Sequence, residues 1–136
     1  MPIVMRDQTS TGVSLAIPAE ARYFHVARSV ATAVAGGYEL PVDVVDDLRL
    51  AITECCNLLM SPAIHPERLR VRLWPQDASL LMEVAADGGG PGDQRSTTDS
   101  LSWTIVVGLA DEATWESDGG APAIVTRWRV LPDPSA

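Results

Sequence analysis

The order of periodic segments along this 136-residue chain points to an α+β fold: a two-layer α/β sandwich in which helices cover one face of a mixed, mostly antiparallel sheet. Two observations carry that expectation. Five segments alternate apolar and polar residues at the period of a strand, and four of the five fall into two antiparallel-type pairs. Three other segments repeat at the period of a helix, which gives the order strand, helix, helix, strand, strand, helix, strand, strand. The length suits one compact domain, and a hydrophobic content of 46% is enough for a core.

Residues 1–12 are polar and irregular and read as a flexible N-terminal segment; 13–131 form the domain and 132–136 a tail. Val13 to Ile17 alternates as a short strand that Pro18 ends. Ala19 to Ala35 follows as a helix with Phe24, Ala27, Val30, Ala31 and Val34 on one face, closed by Gly36-Gly37. His25 and Arg28 lie away from that face, and His25 reads as a solvated helix residue. The longest single periodicity runs from Pro41 to Met60. Pro41 suits a first helical turn, and Asp43, Asp46 and Asp47 complement the positive end of the helix dipole. Val44, Val45, Leu48, Ala51, Ile52, Cys55, Cys56, Leu58 and Leu59 share one apolar arc, which Ser61-Pro62 closes. Glu54 lies at the border of that arc, with Leu50 and Leu58 one turn before and after it. A carboxylate so placed is costly to bury without a partner or a role, which makes Glu54 the first candidate for function, beside the plainer reading of an amphipathic edge.

Arg68 to Pro75 (RLRVRLWP) is a strand with Leu69, Val71 and Leu73 on the buried side and Arg68, Arg70 and Arg72 on the other, a stripe that reads as solvated or as a dock for a carboxylate-rich partner. After a turn at 76–79, Leu80 to Ala85 returns as its hairpin partner. Asp87 to Thr98 (DGGGPGDQRSTT) reads as one flexible, nearly backbone-only loop, either a plain connector or a chain able to approach a phosphate. Ser100 to Ala110 is a mostly apolar helix with Asp99 or Ser100 as its N-cap. Glu112 to Ser117 and Ala123 to Leu131 close the chain as an antiparallel pair joined at Asp118-Gly119-Gly120.

Charge and composition exclude several classes. The net charge is −8, lysine is absent and all ten cations are arginines, so direct nucleic-acid binding is disfavoured. No 18-residue apolar run and no secretory leader is present, which points to the cytoplasm and away from a membrane. Adjacent Cys55 and Cys56 point about 100° apart on a helix and cannot easily bridge, so they read as core thiols or, less simply, as redox sensors. GxxxxGK[ST], HExxH, CxxC and GxSxG are all missing, and His25 and His65 lie in no motif, so no metal site is expected.

Taken together, IPAEARYFHVAR (17–28), DDLRLAITECC (46–56), EVAADGGGPG (83–92) and LSWTIVVGLADEATWESDGG (101–120) resemble the RsbW-like anti-sigma factors and serine kinases with the histidine-kinase-type (GHKL) ATPase fold, over about Val13 to Leu131. The resemblance implies that Glu54 is the family's catalytic base. It implies an Mg²⁺-holding asparagine four residues later, where this chain has Leu58; Asn57 is one residue early and about 100° away. It implies an Asp-x-Gly-x-Gly adenine loop whose glycines match Gly88 and Gly90, with Ala86 at the aspartate position and Asp87 next to it. The second phosphate loop is not visible in QRSTTDSLSW (94–103). The cofactor implied is ATP, while Leu58 argues against Mg²⁺ and so against an active kinase. The partners implied are an alternative sigma factor and an anti-anti-sigma (STAS) antagonist, met by Arg28 on the first helix with Phe24 and His25 beside it; homodimers are common in the family. Three readings follow: an anti-sigma factor with a degenerate ATP site, an ATP-dependent serine kinase acting on its antagonist, or a module tuned to another partner.

Overall fold

The domain is known from a computed structural model, which describes residues 12–118 and 120–130. Its elements are β1 (Val13–Pro18), α1 (Phe24–Gly37), α2 (Val42–Leu59), β2 (Arg68–Gln76), β3 (Ser79–Asp87), α3 (Gln94–Thr98), α4 (Leu101–Leu109), β4 (Glu112–Asp118) and β5 (Ala121–Arg129). The strands lie in the order β1-β2-β3-β5-β4. All four pairings are antiparallel, so the two-layer α+β expectation holds, with a sheet antiparallel throughout rather than mixed. The expected flexible segment 1–12 (apart from Gly12), the tail 132–136, Leu131 and Gly119 lie outside the described residues.

Alternation decides which side chains meet the helices. Leu69, Val71 and Leu73 of β2 oppose Ala86, Val84 and Met82 of β3, and Val84 and Met82 in turn oppose Ile124 and Thr126 of β5. These form the inner face. Helix α2 lies over β3 and β5, with α1 and α4 packed on its two flanks. Its apolar arc is the predicted one: Leu48, Ala51, Ile52, Cys55, Cys56, Leu58 and Leu59 are buried. Each fully buried leucine or isoleucine contributes up to about 2–3 kcal/mol, so this helix anchors the core.

Several local features differ from the sequence expectation. The helix expected from Ala19 begins as a 3₁₀ turn at Ala21–Tyr23 and becomes α-helical only at Phe24. Gly36 and Gly37 are the last residues of α1 with ordinary φ, and the left-handed residue that redirects the chain is Glu39, at φ 58°. The β2–β3 hairpin closes on two residues, Asp77 and Ala78, with φ of 50° and 58°. Positive φ at both central positions marks a type I′ turn, which asparagine and glycine adopt with less strain. The 87–98 stretch is not a bare flexible loop: its second half forms α3, capped by Asp93, whose Oδ1 accepts from the Arg95 N–H at 3.2 Å.

The outer face of the sheet corrects another expectation. The arginine stripe is neither free nor simply solvated at two of its three positions. Arg72 reaches the buried Glu83 through Nε and Nη2 at 2.8 Å, and Arg70 Nη1 reaches both carboxylate oxygens of Asp87 at 2.9 and 3.0 Å. Trp74, Leu81 and Val125 form a small second apolar cluster on this face.

Candidate functional site

A cleft of about 310 Å³ opens beside the C-terminal end of α2. Its walls are Asn57 and Leu58, the Ser61-Pro62-Ala63 turn, Asp93, Ser96 and Thr97 around α3, and Ser100 and Ser102 at the start of α4. The local sequence explains the placement. Ser100 caps α4, accepting from the Trp103 N–H at 3.1 Å and donating to the Thr97 carbonyl at 2.6 Å, which ties α4 to α3. α4 then packs along α2, and Ser102 Oγ donates to Glu54 Oε1 at 3.0 Å. Glu54 is half-buried, as its position on the border of the arc implies.

The expected cofactor residues are only partly brought together. Asn57 is exposed and lines the cleft, whereas Leu58 turns its side chain into the core at 9% exposure. Asp87 does not face the cleft. Strand alternation sends Ala86 inward, at 3% exposure, and Asp87 to the opposite face, where Arg70 holds it. Gly88 and Gly90 are also committed elsewhere. A Cβ on Gly88 would meet the Glu67 side chain at 2.9–3.0 Å, and one on Gly90 would come within 2.5 Å of the Ala63 carbonyl. The Gly90 N–H already donates to the Ile64 carbonyl at 2.7 Å. Gly89 and Gly90 therefore let two backbones press together along the Ala63–His65 turn, while on the other side the glycines stay open and, with Ala86, Gly120, Ala121 and Pro122, line a second cleft of about 220 Å³.

On α1, Arg28 is half-buried and its Nη1 donates to Thr53 Oγ1 of α2 at 3.3 Å. His25 is exposed, and its Nδ1 lies 2.8 Å from the Arg22 carbonyl. Phe24 departs from the expected partner-facing role: it is 5% exposed and sits in the core, where the apolar face of α1 puts it. Burial pushes the Cys56 thiol up to about 12, against a lowering by nearby Arg28; burial, then Cys56 and Glu54, push Cys55 well above the usual thiol range. Both stay neutral and act as small core apolar groups. The hydroxyls of Ser61, Ser96, Ser100 and Ser102 were not legible as a site, because residues so far apart in sequence converge only through the fold. The serine spacing before α4 is the one signal that could have marked it.

An antiparallel sheet carrying three helices on one face, with a polar cleft at the end of the central helix, is the layout of a nucleotide-binding ATPase module. Residues 17–128 match the histidine kinase-like ATPase domain, and the chain belongs to that family as an RsbW-like member. It is similar to the anti-sigma-F factor RsbW of Mycobacterium tuberculosis, in strains CDC 1551 / Oshkosh and ATCC 25618 / H37Rv, at 28% identity over 129 residues, covering 91% of this chain and 73% of the relative.

The family implies nucleotide binding, and the residues of this cleft offer little to a metal-bound triphosphate. No arginine lines the cleft to face a triphosphate, and Asp93 and neighbouring Glu54 add negative charge there. Leu58 offers a metal no ligand, and no group of three His, Cys, Asp or Glu side chains that could hold a metal ion occurs among the described residues. No helix of the described residues is long and apolar enough to cross a membrane.

Proposed function

We propose that this chain is an anti-sigma factor, with residues 13–131 as its working unit and the cytoplasm as its site of action. It sequesters an alternative sigma factor and gives it up when an anti-anti-sigma (STAS) protein competes, while its ATP site is degenerate. The similarity to a protein named as an anti-sigma factor, running over nine-tenths of this chain, is the observation that carries the reading. Arg28 supports it: a guanidinium on α1 held to α2 by one hydrogen bond keeps its other donors for a carboxylate of the partner, with His25 beside it. Catalysis is supported far less, because Leu58 and Ala86 stand where the resemblance implies the side chains that position phosphoryl transfer.

The test is capture of purified alternative sigma factors from the organism of origin, read by calorimetry, together with inhibition of transcription in vitro. A sigma factor bound by the wild type and bound about 5- to 30-fold more weakly by Arg28→Ala is the expected result. Binding to none of them removes the reading. The kinase alternative draws on Glu54, whose carboxylate sits at the cleft wall on Ser102. Transfer of labelled phosphate from ATP to a STAS protein, abolished by Glu54→Ala, would establish it; no transfer with either Mg²⁺ or Mn²⁺ would dismiss it.

A further inference from the structure

Leu50 of α2 leaves 49% of its surface in water, and Leu101 and Val107 of α4 leave 76% and 49%. The outward side of these two packed helices therefore carries apolar groups that no described element covers. Carboxylates ring the first of them. Asp43, Asp46 and Asp47 lie seven, four and three positions before Leu50 and Glu54 four after it, separations that all share one face of a helix. None of the four is in an ion pair among the described residues. Helix α4 (LSWTIVVGL) contains no charged residue to offset them, and its Ser102 fixes Glu54 by the 3.0 Å hydrogen bond.

The cations of neighbouring elements lie to the side of this face. Arg49 points about 100° away from Leu50, one turn before Thr53 and on the flank where Thr53 meets Arg28 of α1. Past Glu54 the same face reaches Asn57, which is exposed and forms a wall of the 310 Å³ cleft together with Asp93. Arg95 gives its backbone N–H to Asp93, but no arginine lines that cleft. A second copy of this chain would bring more negative charge to the face, because the net charge is −8 and lysine is absent. The complementary shape is a segment with arginines or lysines on either side of an apolar stripe.

We propose that this face of α2, bordered by α4, docks a basic amphipathic segment of the sigma factor. An apolar side chain of that segment rests on Leu50, and its cations meet Asp43, Asp46, Asp47 and Glu54. The proposal rests on the anti-sigma reading and names the chemistry of the captured segment. A protein that works on DNA carries basic segments to meet phosphates, and a row of carboxylates along a helix offers those segments a substitute. The acidic balance of the chain then steers the partner toward capture.

The test uses the full chain and the sigma factor that the wild type captures, by calorimetry at low and moderate salt. Asp47→Asn is expected to weaken capture about threefold and Asp46→Lys combined with Asp47→Lys about a hundredfold, both with a flatter salt dependence. Leu50→Ala should cost several-fold. Asp77→Asn removes the same charge at the exposed β2–β3 turn and should bind as the wild type does. A wild-type affinity that does not change with salt overturns the proposal whatever the variants do. If the sigma factor binds and Asp47→Asn, the double reversal and Leu50→Ala all match the wild type, the docking face is wrong while the anti-sigma reading stands. If no sigma factor binds the wild type, both fall. If the double reversal leaves capture intact and instead weakens binding of a STAS protein, or alters self-association in sedimentation, the occupant is that protein or a second copy and the proposal is overturned.

Discussion

Replacing Gly89 by alanine separates a glycine loop that binds phosphate from one that packs backbone against backbone. Gly89 has φ of 136°, and a Cβ there would land inside contact distance of the Ile64 carbonyl oxygen and 2.9 Å from that of His65. Neither neighbour is a flexible side chain, so the loop itself must move. The backbone strain costs about 1–3 kcal/mol, and displacing the loop loses the Gly90-to-Ile64 hydrogen bond, worth about 1 kcal/mol. Displaced contacts between Gly92 and the Ile64 side chain raise the sum to roughly 3–5 kcal/mol, a large share of the 5–15 kcal/mol typical of a domain. Urea unfolding followed by tryptophan fluorescence should show that loss with an unchanged m-value, and the melting temperature should fall by roughly 10–20 °C. Gly36→Ala is the counterweight: it lies inside α1 with nothing near its Cβ and should gain about 0.5–1 kcal/mol. A Gly89→Ala protein as stable as the wild type would refute the close backbone packing of this loop.

Three further outcomes follow from named contacts. Ala78→Gly relieves a φ of 58° in the type I′ turn and should stabilise the protein by about 0.5–1 kcal/mol in the same urea assay. Arg72→Ala strands Glu83, which is 4% exposed, and should cost about 2–4 kcal/mol; the double variant Arg72→Met, Glu83→Leu should recover most of it in a double-mutant cycle. Cys55 and Cys56 have folded pKa values raised above the unfolded thiol value, so the stability they contribute is complete below about pH 8.5 and falls as pH rises through 9 and beyond. Iodoacetamide labelling at pH 8 should therefore proceed only as fast as the protein opens, and labelling at the rate of a free thiol would contradict their burial.

The periodic elements were readable because burial on one face leaves its period in the sequence, as in Leu48, Ile52, Cys55 and Leu59 of α2. The site was less readable. Asp87 looked close enough to replace an acid at Ala86, yet in a strand one step reverses the face, and β3 continues through Asp87 instead of loosening before it. Glycine composition could not reveal that the 63–65 carbonyls would occupy the space the glycines leave. The Glu54–Ser102 and Arg28–Thr53 contacts join residues 48 and 25 positions apart, a separation that no local pattern encodes.

The packing of the glycine loop also bears on what two substitutions could restore. Writing Asn at 58 and Asp at 86 restores the letters of a nucleotide motif at two positions that border clefts, Leu58 beside Asn57 and Ser102 and Ala86 beside Gly88 and Pro122. The loop amide at Gly90 would still be engaged by Ile64. Restoring the two letters would leave the backbone packing of this loop as it is.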